Sequence, residues 1–322
     1  MGNNNRVCEI LGMQYPIVQA AMNWITNANM VAAVSNAGGM GVLGPNAGAK
    51  YNGSKKISTE NRYRNELRKV KAKTDKNFAV NVILPKEGKD DTYAQTVIDV
   101  ALEAGVKTFV SVGTVNKALF QKVKENHATL IHHELTPTPD AAKKAEETGA
   151  DMIIATGYDE GGVIPQNRIG TFSIVPTIVD AVDIPVIAAG GINDIRGVRA
   201  AFALGAEGVY AGTRFIVSKE CPASDITKQD IIRSKAHDLV FVSALQRSTP
   251  HKLALELEKN YENGTSSNEE MSLRPGMLEG KLDEGIVSVN TAIDMIQEVK
   301  SCEDIVKELM ADYIQQKSPM KQ

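Results

Sequence analysis

Short apolar runs alternate with longer stretches in which apolar residues recur every three to four positions. The runs are PIVQAAM (16–22), MGVLGPNA (40–47), FAVNVIL (78–84), TFVSVG (108–113), TLIHHEL (129–135), MIIATG (152–157), PVIAAGG (185–191) and GVYAGTRF (208–215). Their length and β-branched content predict strands. Between them, YAQTVIDVALEAG (93–105), NKALFQKVKENH (116–127), PDAAKKAEETG (139–149) and DIRGVRAAFALG (194–205) carry helical spacing, and three of the four close on Gly. Nearly uninterrupted apolar strands alternating with helices predict a parallel sheet covered on both faces. Eight such units in about 200 residues predict closure into an α/β (β/α)₈ TIM barrel. An open doubly wound sheet is the alternative. It is disfavoured by the strand count and by the lack of GxGxxG after the first strand.

The rhythm changes after Phe215. Residues 218–275 are polar, with helical patterns at 225–240 and 251–264, no clear strand, and a loop at 263–276. Two closing helices are expected at 285–299 and 302–316. The predicted organisation is therefore a barrel from 1–217 and 276–322 carrying a small helical subdomain at 218–275, through which a homodimer could form.

Composition narrows the classes. The 322 residues are 43% hydrophobic and 23% charged, with a net charge of −3. That balance argues against partners rich in phosphate, so no nucleic-acid role is expected. Lys-rich stretches such as 62–73 read as solvated helix faces. Cys8, Cys221 and Cys302 lie far apart without CxxC spacing, which disfavours a disulfide framework or a metal site. No apolar run approaches the roughly 18 residues needed to cross a bilayer, and no leader pattern opens the chain. A cytoplasmic protein is expected.

In such a barrel, chemistry sits at the C-terminal strand ends, and phosphate is often held after the seventh and eighth strands. Those ends read AAGGIND and YAGTRF. Gly190 and Gly191 permit close backbone approach to an anion, and the next helix offers a positive end. Gly212 repeats the device, and Thr213 adds a hydroxyl. No Walker A sequence is present, and no Lys stands where a pyridoxal Schiff base would need one. FMN fits what remains. Its ring would find small residues and amides in QAAMNW (19–24), and Asn81 is a polar residue inside an apolar strand that needs a partner.

These segments, taken with PIVQAAMNWITNANMVAAVSNAGGMGVLG, GADMIIATGYDEGG and LGAEGVYAGTRF, resemble the nitronate monooxygenase family, which includes flavin-dependent enoyl-acyl carrier protein reductases and NADH:quinone reductases. The resemblance implies FMN in a TIM-type barrel. It places the flavin ring on Ala21, Met22, Asn23 and Asn81 and the phosphate on Gly190, Gly191, Gly212 and Thr213. The late turn GIVSVNTA (285–292) adds Ser288 and Asn290. Family members commonly read Glu-Ala-Gly-Gly-His after strand six, and that His is the base of nitronate oxidation. Here the loop is Asp159-Glu160-Gly161-Gly162-Val163, so Val163 occupies the histidine position. Oxidation of a neutral nitroalkane needs a base within reach, and valine offers none. A preformed nitronate would not need one.

Replacement proton donors are sought at strand ends. Tyr158 and Asp159 share the loop, while His132, His133 and Glu134 end strand five. Alternation lets only one of the two histidines face inward. Tyr158 and His133 are the catalytic candidates. Three functions are compatible with this reading. One is NADH- or NADPH-dependent reduction of an activated C=C bond in an enoyl thioester or enone. The second is quinone reduction or nitronate oxidation, and the third is a flavin-binding protein without catalysis.

Overall fold

The computed structural model describes residues 5–49, 57–86, 88–265 and 272–317. Eight strands occupy the predicted runs: β1 Ile17–Gln19, β2 Val42–Leu43, β3 Ala79–Ile83, β4 Thr108–Val112, β5 Thr129–His133, β6 Met152–Thr156, β7 Val186–Ala189 and β8 Gly208–Ala211. All pair in parallel, in the order β1-β8-β7-β6-β5-β4-β3-β2. The two ends of that order meet at a bridge between Val18 and Met40. The N–H of Gln19 donates to the Met40 carbonyl, and that of Met40 to the Ile17 carbonyl, both at 2.9 Å. The Gln19 side chain then accepts from Val42 N–H at 3.1 Å, extending the seam where the short β2 cannot. The chain is a closed (β/α)₈ barrel.

Inward and outward positions alternate along each strand. Val18, Val42, Ala79, Val110, Ile131, Met152, Ile154, Ile187 and Tyr210 pack as one cluster inside the barrel. The intervening residues join a larger cluster under the helices. The helix α1 (Arg6–Leu11) sends Val7 and Leu11 into the inner cluster. It is anchored there by Asn5, whose amide donates to the Glu207 carbonyl at 2.7 Å, so the N-terminal end of the barrel is plugged. Helices α2 (Ala28–Asn36), α3 (Thr59–Lys71), α4 (Thr92–Glu103), α5 (Lys117–Glu125), α6 (Pro139–Thr148), α7 (Thr171–Val179) and α8 (Ile195–Ala203) form the outer ring. Gly41 shows how closely ring and barrel approach. A Cβ there would lie 2.3 Å from the Val31 carbonyl oxygen of α2.

Two expectations fail after β8. The short α9 (Thr213–Ile216) and α10 (Asp225–Arg233) are followed by an antiparallel hairpin, β9 (Val240–Ser243) and β10 (Gln246–Ser248), before α11 (Lys252–Glu262). Residues 218–275 are therefore not wholly helical. α10 stops at Arg233, and Val240 and Val242 turn inward while Phe241 stays outside, a two-residue period too short to stand out. The expected helix at 285–299 is also absent. Residues 286–290 are buried and non-helical, pinned by Val287 N–H to Ser248 Oγ (2.9 Å) and by Thr249 N–H to the Val287 carbonyl (3.1 Å), and only the short 3₁₀ turn Ile293–Met295 follows. A β-branched run with tertiary partners on both sides overrides a helical pattern. The last expected helix is present in two pieces, α12 (Cys302–Leu309) and α13 (Ala311–Lys317). Part of the expected 263–276 loop, residues 266–271, lies outside the described residues, and a π-helical turn, Arg274–Glu279, follows it. All three cysteines are free thiols. No described helix is long and apolar enough to cross a membrane.

Candidate active site

A cavity of about 300 Å³ opens at the C-terminal ends of the strands. Its first wall is the segment after β1, where Ala21, Met22 and Asn23 line it. Ala21 N–H donates to the Tyr210 hydroxyl at 2.9 Å, and Asn23 Oδ1 accepts from Asn46 at 3.0 Å. Asn81 adds a polar group from β3. Its amide donates to the Val110 carbonyl at 3.1 Å, so a backbone group on β4 fixes it in place.

Opposite stand the turns after β7 and β8. Gly190 and Gly191 line the cavity with φ of +104° and +70°, a region that only glycine enters cheaply. A Cβ on Gly190 would lie 2.6 Å from Thr171 Oγ1, so side chains are excluded and the backbone faces the cavity bare. The dipole end expected from α8 is less available. Asp194 caps it, accepting from the N–H groups of Arg196 (2.9 Å) and Gly197 (3.4 Å). Gly212 and Thr213 complete this rim, with Thr213 Oγ1 accepting from Asn290 N–H at 3.1 Å.

The late turn forms the remaining wall. Ser288 Oγ accepts from Gly162 N–H at 2.9 Å. Asn290 and Asn193 exchange side-chain hydrogen bonds, each 2.9 Å, and Asn290 Oδ1 also accepts from Ala292 N–H. Both Ser288 and Asn290 line the cavity, but their polar atoms brace the loops around it.

The two histidines divide as alternation requires. His132 faces the helical layer, with its Nδ1 3.0 Å from Ser111 Oγ and its ring edge-on to Phe120. His133 faces the cavity, its Nε2 2.7 Å from Thr156 Oγ1 and its ring edge-on to Tyr210. Burial, helped by the neighbouring His132, pushes the His133 pKa down to about 3, so the ring is neutral at ordinary pH. Tyr158 is not part of the cavity wall. Its ring stacks on Phe241 and lies under the Arg247 guanidinium at 4.9 Å, while its carbonyl accepts from Arg247. Arg247 drew no notice in the sequence, because only the hairpin fold brings it to this loop.

Val163, 37% exposed, stands on the rim of the cavity. Beside it, Glu160 also lines the cavity. Nothing in the local sequence marks Glu160, because the burial of its carboxyl depends on the fold. Among the described residues no group of three or more His, Cys, Asp or Glu is placed to hold a metal.

The profile of nitronate monooxygenases matches residues 4–312. The chain belongs to the nitronate monooxygenase family. It is 34% identical to a probable nitronate monooxygenase of Staphylococcus aureus strain MRSA252, with 76% of each chain covered. Among solved structures, this family member superposes on FabK from Thermotoga maritima with a TM-score of 0.84 and 31% identity, covering 98% of this chain and 97% of the other. Nitroalkane oxidase from Streptomyces ansochromogenes shares the fold at a TM-score of 0.76 and 20% identity, covering 96% of this chain and 98% of that one. Membership makes the chain a flavin-dependent oxidoreductase.

Proposed function

We propose that the protein is an FMN-dependent reductase of activated C=C bonds, in an enoyl thioester or an enone, with NADH or NADPH as the reductant. The carrying observation is Val163 on the cavity rim. Where nitroalkane oxidation needs a base, the side chain cannot hold a proton, whereas hydride delivery needs positioning above all. The 31% identity to FabK over nearly the whole chain supports the same class.

The residues present fit FMN. The bare, positive-φ backbone at Gly190 and Gly191, with Gly212 and Thr213 beside it, suits a phosphate that must approach amides closely. Ala21, Met22 and Asn23 supply small groups and backbone along the ring, and Asn81 supplies an anchored amide. Ser288 holds the late turn against the loop after β6, and Asn290 holds it against Thr213 after β8. FMN, when bound there, would supply two-electron hydride chemistry between a nicotinamide and the substrate. His133, neutral and tied to Thr156, serves as a hydrogen-bonding wall, not as an acid. Tyr158 is withdrawn from the catalytic set by its place between Phe241 and Arg247.

The test is anaerobic. NADH or NADPH should bleach the bound flavin, and crotonyl thioester or cyclohexenone should restore the colour at a rate matching turnover. Reoxidation by quinone alone, or turnover of preformed nitronate without any C=C reduction, would replace this reading. The nitronate alternative has its own support in the names of the curated relatives. A flavin that no nicotinamide reduces would mark a binding protein without catalysis.

A further inference from the structure

The loop after β6 lacks a base at Val163 but carries a carboxyl three residues earlier, and that carboxyl is unusual in its surroundings. Glu160 lines the cavity, and its Oε1 is closed off from solvent with no hydrogen-bond partner in the protein. Buried carboxyl oxygens are seldom left so. The backbone around it is held at several points. Glu160 N–H donates to the Gly157 carbonyl at 3.1 Å. Gly161 packs so tightly on the late turn that a Cβ would lie 2.7 Å from the Val289 carbonyl carbon. Gly162 N–H is held by Ser288, and Ile164 N–H donates to the Leu245 carbonyl of the hairpin at 2.8 Å. The backbone that brings this acidic side chain to the cavity wall is thus held firmly, while its Oε1 makes no hydrogen bond within the protein.

We propose that Glu160 is the proton donor of the reductive reaction, standing in for the histidine that this chain lacks. The inference rests on the reductase reading above. In the step, the C=C bond accepts a hydride at its far carbon, with both electrons coming from the nicotinamide by way of the flavin. The carbon next to the carbonyl forms a C–H bond as the Glu160 O–H bond breaks, and the carboxylate left behind regains its proton from water.

The groups facing Glu160 are consistent with that assignment. On β10, Arg247 acts on Glu160 through its charge; it donates one N–H to the Tyr158 carbonyl and lies over two aromatic faces, and its Nε is buried without a hydrogen-bond partner. On β8, the Tyr210 hydroxyl accepts from Ala21 N–H and its pKa is driven up by burial, so it is a poorer acid. On β5, His133 is neutral. The preceding Asp159 is turned away, with one carboxylate oxygen accepting from Thr171 N–H at 2.7 Å. Burial raises the Glu160 pKa well above the usual carboxylate range, with Arg247 opposing it, and this direction favours the protonated form that a donor needs.

Two measurements on the flavin-loaded protein test the proposal. Infrared spectroscopy should show a protonated carboxyl C=O band at neutral pH that disappears in Glu160→Gln. A Glu160 that ionises in the ordinary carboxylate range overturns the idea. In stopped flow, Glu160→Gln should slow reoxidation by the C=C acceptor by about 10²-fold or more, while flavin reduction by the nicotinamide changes less than about threefold. The wild-type acceptor rate should also fall as pH rises and Glu160 loses its proton, whereas the variant's stays flat. Equal acceptor rates in the two proteins overturn the role of Glu160 while leaving the reductase reading intact. A wild-type protein that reduces no C=C acceptor overturns the reductase reading, and this role with it.

Discussion

The neutral His133 gives a stability prediction that needs no knowledge of the substrate. Its native pKa of about 3 lies below the ordinary value of 6.5. A base depressed in this way stays uncharged in the folded protein, while the unfolded chain takes up a proton as the pH drops. The stability linked to His133 is therefore intact above about pH 6.5 and is lost progressively as pH falls towards about 3. Each unit below 6.5 costs about 1.4 kcal/mol, so moving from pH 7.5 to pH 5 should remove about 2 kcal/mol through this residue alone. His133→Gln removes the titration and keeps a polar group opposite Thr156. Denaturant unfolding of both proteins at pH 7.5, 6 and 5 isolates the effect, because acid-sensitive groups not coupled to the ring cancel in the difference. The wild type should lose about 2 kcal/mol more than the variant over that range. Parallel pH profiles, within about 0.5 kcal/mol, would show that the ring is solvated or charged in the native state and that the burial argument is wrong.

Two further outcomes follow from the loop after β6. Val163→His should raise turnover of neutral nitroethane by about 10²-fold or more, and a flavin-loaded variant with no gain would refute the placement of Val163 at the base position. Gly161→Ala would bring a methyl group within 2.7 Å of the Val289 carbonyl carbon, so it should cost about 1–3 kcal/mol and loosen the flavin. Thermal melting monitored by release of flavin fluorescence checks this, and an unchanged transition would show that the late turn yields freely.

The barrel was legible in the sequence because parallel strands buried on both faces leave a plain signal, as in FAVNVIL around Ala79–Ile83. Glycine pairs at strand ends carried the site for a similar reason, since positive φ at Gly190 and Gly191 is a local demand that local sequence records. What escaped depends on distant partners. Residues 286–290 look helical until Ser248 and Thr249 are seen taking the Val287 backbone groups as partners. Alternation allowed either His132 or His133 inside, and the register of β4 with β5, pairing Val110 with Ile131, decided for His133. Tyr158 was drawn out of the candidate set by Arg247, 89 positions further along. Glu160 became conspicuous only when the fold showed one of its carboxyl oxygens buried without a partner in the protein.

The cavity is walled by segments gathered from the whole length of the chain, with Gly162 fastened to Ser288 and Ile164 to Leu245. On a ribosome, all eight staves would emerge well before residue 288. A nascent polypeptide halted there could close its cylinder yet present an open basin, so loading of the prosthetic group has to come among the last events of maturation, after the tail has returned to seal the rim.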